Sequence, residues 1–339
     1  MSAADIEAYR AGLWPMPVRT KTQKRKMRRM GVEVEFSGLD IERIVELTHD
    51  QLGGEVDRVS DYEIFVRNTA VGDFGVELDF SYLKKLGREK DQDIDVDDLD
   101  NLAEGVLALF AKRLVPYEIV SPPMPMNEVW RMESLMARLR LAGAKGTHHA
   151  VAYAFGLHLN PEMPDLKAET ILAYLRAFLA LFEWLKVRSD VDLSRRVTPY
   201  IDPFDSAYIK LVLAEGYAPD MDQLIDDYLE HNPTRNRALD MLPLFTHIDE
   251  DRVRAVVSDD RVKPRPTLHY RLPNCQIDES DWGLIRPWRD WLQIEALASD
   301  PRRLDTVCRA YRKYLKNPAG ALFKDWGAAS SRWLLPELL

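Results

Sequence analysis

Cysteine is scarce: Cys275 and Cys308 are the only two in 339 residues. That excludes a disulfide framework and leads us to expect a reducing, cytoplasmic setting. Long apolar runs are missing too. The most apolar helix candidate, Ile171 to Leu185, is interrupted by Arg176 and Glu183 and is too short to span a bilayer. No apolar core follows Met1-Ser2-Ala3-Ala4-Asp5, so no secretory leader is read there. There is no excess of positive charge: 46 Lys and Arg stand against 55 Asp and Glu, a net −9 that argues against a nucleic-acid coat. Hydrolytic and P-loop chemistries lack their motifs, with no His-Glu-x-x-His pair, no Gly-x-Ser-x-Gly elbow and no Gly-x-x-x-x-Gly-Lys-Ser/Thr loop. Nothing around Cys275 marks it as an activated thiol.

What is present begins with Met30-Gly31-Val32-Glu33-Val34-Glu35-Phe36. Val32, Val34 and Phe36 alternate with Glu33 and Glu35, the period of a strand with one buried face. The two carboxylates leave one face with Cα atoms about 6.6 Å apart, close enough to serve one cavity. They could equally be the wet face of an antiparallel strand, so the other segments decide.

Before this strand lies a basic arm, residues 1–29, ending in Lys21, Lys24, Arg25, Lys26, Arg28 and Arg29. It reads as a solvated lead-in, with phosphate or nucleic-acid binding as the alternative. Trp14-Pro15-Met16-Pro17 is expected to run along the surface. After the strand, Asp40 can cap a helix that Gly53-Gly54 ends. Glu63 to Asn68 and Phe74 to Tyr82 read as strands around a turn, the second placing Glu77 and Asp79 on one face. An acidic insertion from Glu89 to Asp100 leads into a helix candidate, Leu99 to Arg113. Val115 to Ser121 is a strand carrying Glu118, Asn127 opens a helix to about Leu141, and Val151 to Asn160 is a strand with His158 and Asn160 on a common face. Residues 166–260 read as largely helical, with candidates at 167–188, 203–216, 221–230 and 234–242. Pro264 to Leu272 is a last strand carrying Arg265, His269 and Arg271. Helices follow, with the Trp-rich segment 282–291 expected in the core rather than as a nucleobase platform. This order favours an α+β fold, a mostly antiparallel sheet with helices gathered on one side.

Separate strands thus offer Glu33, Glu35, Glu77, Asp79, Glu118, His158 and Asn160. On one shared face the carboxylates would repel, which calls for bound cations or protonated acids. Oxygen-rich sites suit Mg²⁺ or Mn²⁺, and Arg265 and Arg271 opposite them suit a phosphate or a substrate carboxylate. Metals and arginines around one pocket point toward phosphoryl transfer. The plainer readings stay open: a structural His158, an edge charge at Glu118 and surface pairing of both arginines.

The ordered set Gly31-Val32-Glu33-Val34-Glu35-Phe36, Tyr117-Glu118-Ile119-Val120-Ser121-Pro122-Pro123, Gly156-Leu157-His158-Leu159-Asn160 and His269-Tyr270-Arg271 resembles the amidoligase family. These are carboxylate–amine ligases related to glutamine synthetase and glutamate–cysteine ligase. The resemblance implies a curved antiparallel sheet of glutamine-synthetase type, helices on its convex side, and ATP, Mg²⁺ and substrate on the concave face. It implies an enzyme, an ATP-dependent carbon–nitrogen ligase that joins a small-molecule or peptide carboxylate to an amine through an acyl phosphate. By it Glu33 and Glu35 match a Glu-x-Glu metal strand, Glu118 a later metal-binding Glu, and His158 the first histidine of a Gly-x-His-x-His-like strand. Asn160 stands where a second His is common. Arg271 matches the phosphate-contacting arginine of a Glu-x-Arg-like strand, with His269 in place of that Glu; Glu77 and Asp79 align loosely with a middle acidic strand. Glu33, Glu35, Glu118 and Arg271 are therefore the expected catalytic set. His158, Asn160, Arg265 and Arg271 are expected to hold the nucleotide, and Glu33, Glu35, Glu77, Asp79, Glu118 and His158 the metals. The expected division is a 1–29 arm, a 30–275 catalytic domain with a helical insertion at about 166–260, and a 276–339 helical extension packed on it. A homo-oligomer is compatible with all of this and a membrane partner is not. The departures at His269 and Asn160 suggest the alternative, a non-catalytic nucleotide- or peptide-binding member.

Overall fold

The central strand, β1 (Arg29–Phe36), follows the alternation: Met30, Val32, Val34 and Phe36 are buried, while Glu33 and Glu35 lie on the opposite face. A computed structural model describes residues 12–78, 116–147, 155–189, 202–316 and 325–339. Asp79, the expected stretch 79–82, the insertion and helix between 89 and 113, and residues 151–154 lie outside these described residues.

Strands β2 (Glu55–Arg58), β3 (Glu63–Thr69), β4 (Gly72–Leu78), β5 (Tyr117–Val120), β6 (Met124–Pro125), β7 (Leu157–Pro161), β8 (Leu239–Asp240) and β9 (His269–Tyr270) join β1 in one open sheet. Their order is β2-β3-β4-β5-β1-β7-β9-β8, with β6 also on β1, and every pairing of these strands is antiparallel. The α+β class stands. One face is apolar throughout: Val32, Val34, Ile64, Val66, Phe74, Val76, Ile119, Leu157, Leu159 and Tyr270 are all fully buried.

Helices supply what covers this core. Asp40 caps α1 (Ile41–Leu52) by accepting from the Arg43 amide, and Gly53 at φ 72° closes it, because a left-handed residue is needed there. α1 packs on β3 and β4 and against α2 (Trp130–Ala142). At the other end, Tyr270 meets Phe178 of α3 (Ala168–Arg188) and Trp291. α4 (Ser206–Val212) and α5 (Met221–His231) lean on α3. α6 (Leu242–Ile248) and α7 (Glu250–Arg254) follow, then α8 (Ile285–Ala298), α9 (Pro301–Lys316) and α10 (Trp326–Ser330), all three of which pack on α3. No described helix is long and apolar enough to cross a membrane.

Four expectations need correction. The helix candidate at 234–242 is not one: Leu239 pairs with Tyr270 and Asp240 with His269, so a tertiary partner makes this segment β8. The strand expected over Pro264 to Leu272 narrows to β9, His269–Tyr270, while β2 is an exposed edge strand that the pattern did not announce. The arm is only partly solvated. Trp14 is buried and stacks on Trp288, and the Trp288 indole donates to the Pro15 carbonyl. Arg28 is fully buried, forming a two-pronged pair with Glu295 at 2.7 and 3.0 Å and donating also to the Arg19 and Glu162 carbonyls. Tyr174 and the Trp291 indole donate to the same Glu295 carboxylate. The Trp-rich segment is core, as expected: Trp282, Trp288 and Trp291 are buried.

Candidate functional site

Antiparallel register decides which acids meet. Glu63 on β3 pairs with Glu77 on β4, Glu77 with Glu118 on β5, and Glu118 with Glu35 on β1. Neighbouring strands are about 4.8 Å apart, so four carboxylates form a row about 14 Å long across the polar face. Like charges directly opposite one another destabilise a sheet. A row of this kind is the arrangement that bound cations relieve.

The next row is centred on Glu33, which pairs in register with His158 on β7. Its Oε2 lies 2.9 Å from His158 Nδ1, and its Oε1 accepts from the Asn160 side-chain amide at 2.9 Å. Arg265 approaches Oε1 to 3.7 Å and His269 Nε2 approaches Oε2 to 3.9 Å. Glu35 sits alongside: one oxygen accepts from the Gly156 amide at 2.6 Å, the other lies 3.7 Å from His158 Nε2. His158 therefore faces Glu33 with one ring nitrogen and Glu35 with the other.

Electrostatics follows from burial. Desolvation pushes the Glu33 carboxyl up, but His269, the hydrogen bond and charge of His158, and Arg265 together hold it well below the usual carboxylate range. Burial drives His269 well below the usual imidazole value; Glu33 opposes this, and His158, Arg271 and Arg265 reinforce it. The Glu33 carboxylate is thus held by the groups around it: His158, Asn160, Arg265 and His269. Two triads could hold an ion: Glu33, His158 and His269, and Glu35, Glu118 and His158, with donor atoms in each within 4.8 Å of one another. The oxygen-rich row fits Mg²⁺.

The structure brings Glu33, Glu35, Glu77, Glu118, His158, Asn160 and Arg265 to one face of the sheet. Arg271 is on β9's continuation beside it, its backbone amide on the Ala238 carbonyl and its guanidinium on the Arg235 carbonyl at 2.9 Å. Several groups there escaped sequence reading. Asp240, fully buried opposite His269, has its carboxyl pushed up to about 6 by desolvation, against the pull of the Leu242 amide, Arg271, Arg235 and Arg265. Arg235 is lowered by burial and by the charges of Arg271 and Arg261. Glu63 extends the acid row. A lone acid inside Ala238-Leu239-Asp240-Met241-Leu242 was the readable sign of a buried carboxyl.

A cavity of about 840 Å³ lies elsewhere, between α3, α9 and residues 213–218. Cys308 lines it, and burial pushes that thiol up to about 11, away from nucleophilic use.

A family profile described as a putative amidoligase enzyme matches residues 26–293, a span that contains every residue of the acid rows. Searches of curated proteins and of solved structures find no match.

Proposed function

The chain belongs to the putative amidoligase family, and from that premise we propose that it is an ATP- and Mg²⁺-dependent carboxylate–amine ligase. A substrate carboxylate, from an amino acid or peptide, takes the γ-phosphoryl group of ATP to give an acyl phosphate and ADP. An amine then attacks the acyl carbon, phosphate leaves, and the amine gives up a proton. The observation that carries this reading is the in-register row Glu77, Glu118, Glu35 beside the Glu33–His158 pair.

Glu35, Glu77 and Glu118 are the residues that would hold Mg²⁺, with Asp79 as a further candidate outside the described residues. Bound Mg²⁺ supplies neutralisation of the phosphate charge. Glu33 anchors His158 and Asn160, keeping that edge of the face fixed while substrates exchange. Arg265 and Arg271 offer forked donors to phosphate or carboxylate oxygens. The glutamine-synthetase-type curvature, with helices on the convex side, belongs to this proposal; an open antiparallel sheet with one acidic face supports it.

The test is ADP and phosphate release coupled to hydroxamate formation, screened over amino acids and peptides with hydroxylamine as amine. Activity should require Mg²⁺ and fall about 10²–10³-fold in Glu35→Gln. Calorimetry showing Mg²⁺-independent ATP binding, with no turnover on any acid, would instead favour the non-catalytic binding member.

A further inference from the structure

The two triads differ in donor chemistry. Glu35 and Glu118 present oxygens to a position that His158 also borders; Glu33, His158 and His269 present two imidazoles and one carboxylate. Mg²⁺ prefers six oxygen ligands at 2.0–2.1 Å and keeps its waters, so a two-nitrogen corner fits it poorly. Imidazole donors suit Zn²⁺ and its neighbours in the transition series, and two His with one carboxylate, leaving positions open, is a donor set that Zn²⁺ takes.

The side chains are already arranged for such an ion. His269 is buried, and its Nε2 makes no hydrogen bond among the described residues; it stops 3.9 Å from Glu33 Oε2. Asn160 Oδ1 beside it is likewise buried without a hydrogen-bond partner among the described residues. The separations from Glu33 Oε2, 2.9 Å to His158 Nδ1 and 3.9 Å to His269 Nε2, bracket the edge of a tetrahedron with metal–ligand bonds of 2.0–2.1 Å, about 3.3 Å. The rings of His158 and His269 stand 5.1 Å apart, close enough to share one ion. A neutral imidazole has one lone pair. If His158 gives Nδ1 to this ion, its Nε2–H is left facing Glu35 Oε1, 3.7 Å away. Glu35 thereby stands on the side from which a carboxylate supports a zinc-bound histidine, at ion-pair rather than hydrogen-bond distance.

We propose that the Glu33–His158–His269 corner is a separate position for a Zn²⁺-class ion, distinct in preference from the oxygen-rich Glu35–Glu118 position. The proposal uses the same sheet face as the ligase reading but does not require turnover.

The experiment titrates Co²⁺ into chelator-treated full-length protein in excess Mg²⁺ and follows visible d–d absorption. One equivalent should saturate the band despite Mg²⁺, and Zn²⁺ should displace it. His269→Gln should weaken Co²⁺ by about 10–100-fold and alter the band, whereas Glu118→Gln should leave it. His269→Glu, which swaps nitrogen for oxygen, should let Mg²⁺ compete. Far-UV circular dichroism and melting of the metal-free variants separate ligand loss from unfolding. Displacement of Co²⁺ by Mg²⁺ at similar concentration, or an unchanged band in a folded His269→Gln, overturns the proposal. Such a result with ATP turnover intact leaves the ligase standing, and a selective Co²⁺ position without turnover does the reverse.

Discussion

Two clusters of charge, one fully buried around Glu295 and one partly open around Glu33, are built on opposite plans. Around Glu295 both oxygens are satisfied: Arg28 takes both, Tyr174 and Trp291 add donors, and Arg28's remaining contacts go to carbonyls. Around Glu33 the protein stops short. Carboxylates stand side by side, and His269 Nε2 and Asn160 Oδ1 are buried without hydrogen bonds among the described residues. Buried polar groups are normally paired, and here unpaired ring and amide atoms coincide with a row of facing carboxylates, the combination on which the proposed site rests. The first cluster is closed; the second is left open, as the proposed ligase site requires.

The sharpest way to break this contrast is Arg28→Met. Removing one partner of a buried ion pair leaves the other uncompensated, so a loss of about 3–5 kcal/mol is expected in urea unfolding. A wild-type midpoint would place the pair outside the stabilising framework. Next comes Glu35→Gln, where the sign should differ. Relieving repulsion in the acid row should leave the melting temperature equal or higher in metal-free protein, while ATP-dependent amide formation falls about 10²–10³-fold. A large drop in stability would make Glu35 a structural residue after all.

Asp290 sharpens the comparison through pH. Burial pushes its carboxyl up to about 6, against Arg188 at 3.1 Å. The folded state therefore holds this proton more tightly than the unfolded chain, whose carboxyl titrates near 3.9. The stability it contributes is complete below about pH 4 and is lost as pH rises through about 6, at no more than about 1.4 kcal/mol per pH unit. Asp290→Asn should flatten that slope in denaturation measured between pH 4 and 7. Smallest is Asp40→Ala, the loss of one helix cap, expected to cost about 1 kcal/mol and to leave turnover unchanged.

How much of this was legible depended on whether a residue's partner was near in sequence or far. Alternation exposed β1 and its Glu33–Glu35 pair, and the same logic found Glu77, Glu118 and His158, because period two reports which face a side chain takes. It could not report register, which turned separate acids into one row. Glu55-Val56-Asp57-Arg58 shows no buried phase because it lies at the sheet edge, so nothing marked β2. Leu239-Asp240 became a strand through His269-Tyr270, a partner about thirty residues on, and local propensity is silent about that. Arg28 was hidden by its neighbours: five basic residues of the run are exposed, yet Arg28 continues the buried phase of Met30 and Val32.

The Arg28–Glu295 pair spans 267 residues of sequence. During synthesis from the amino end, the arginine therefore leaves the ribosome long before its counter-charge exists. The central strand can be made early but cannot seat the residue that introduces it until α8 has followed. Nascent chains arrested ahead of α8 should remain protease-sensitive around residues 12–29 and become resistant once that helix emerges.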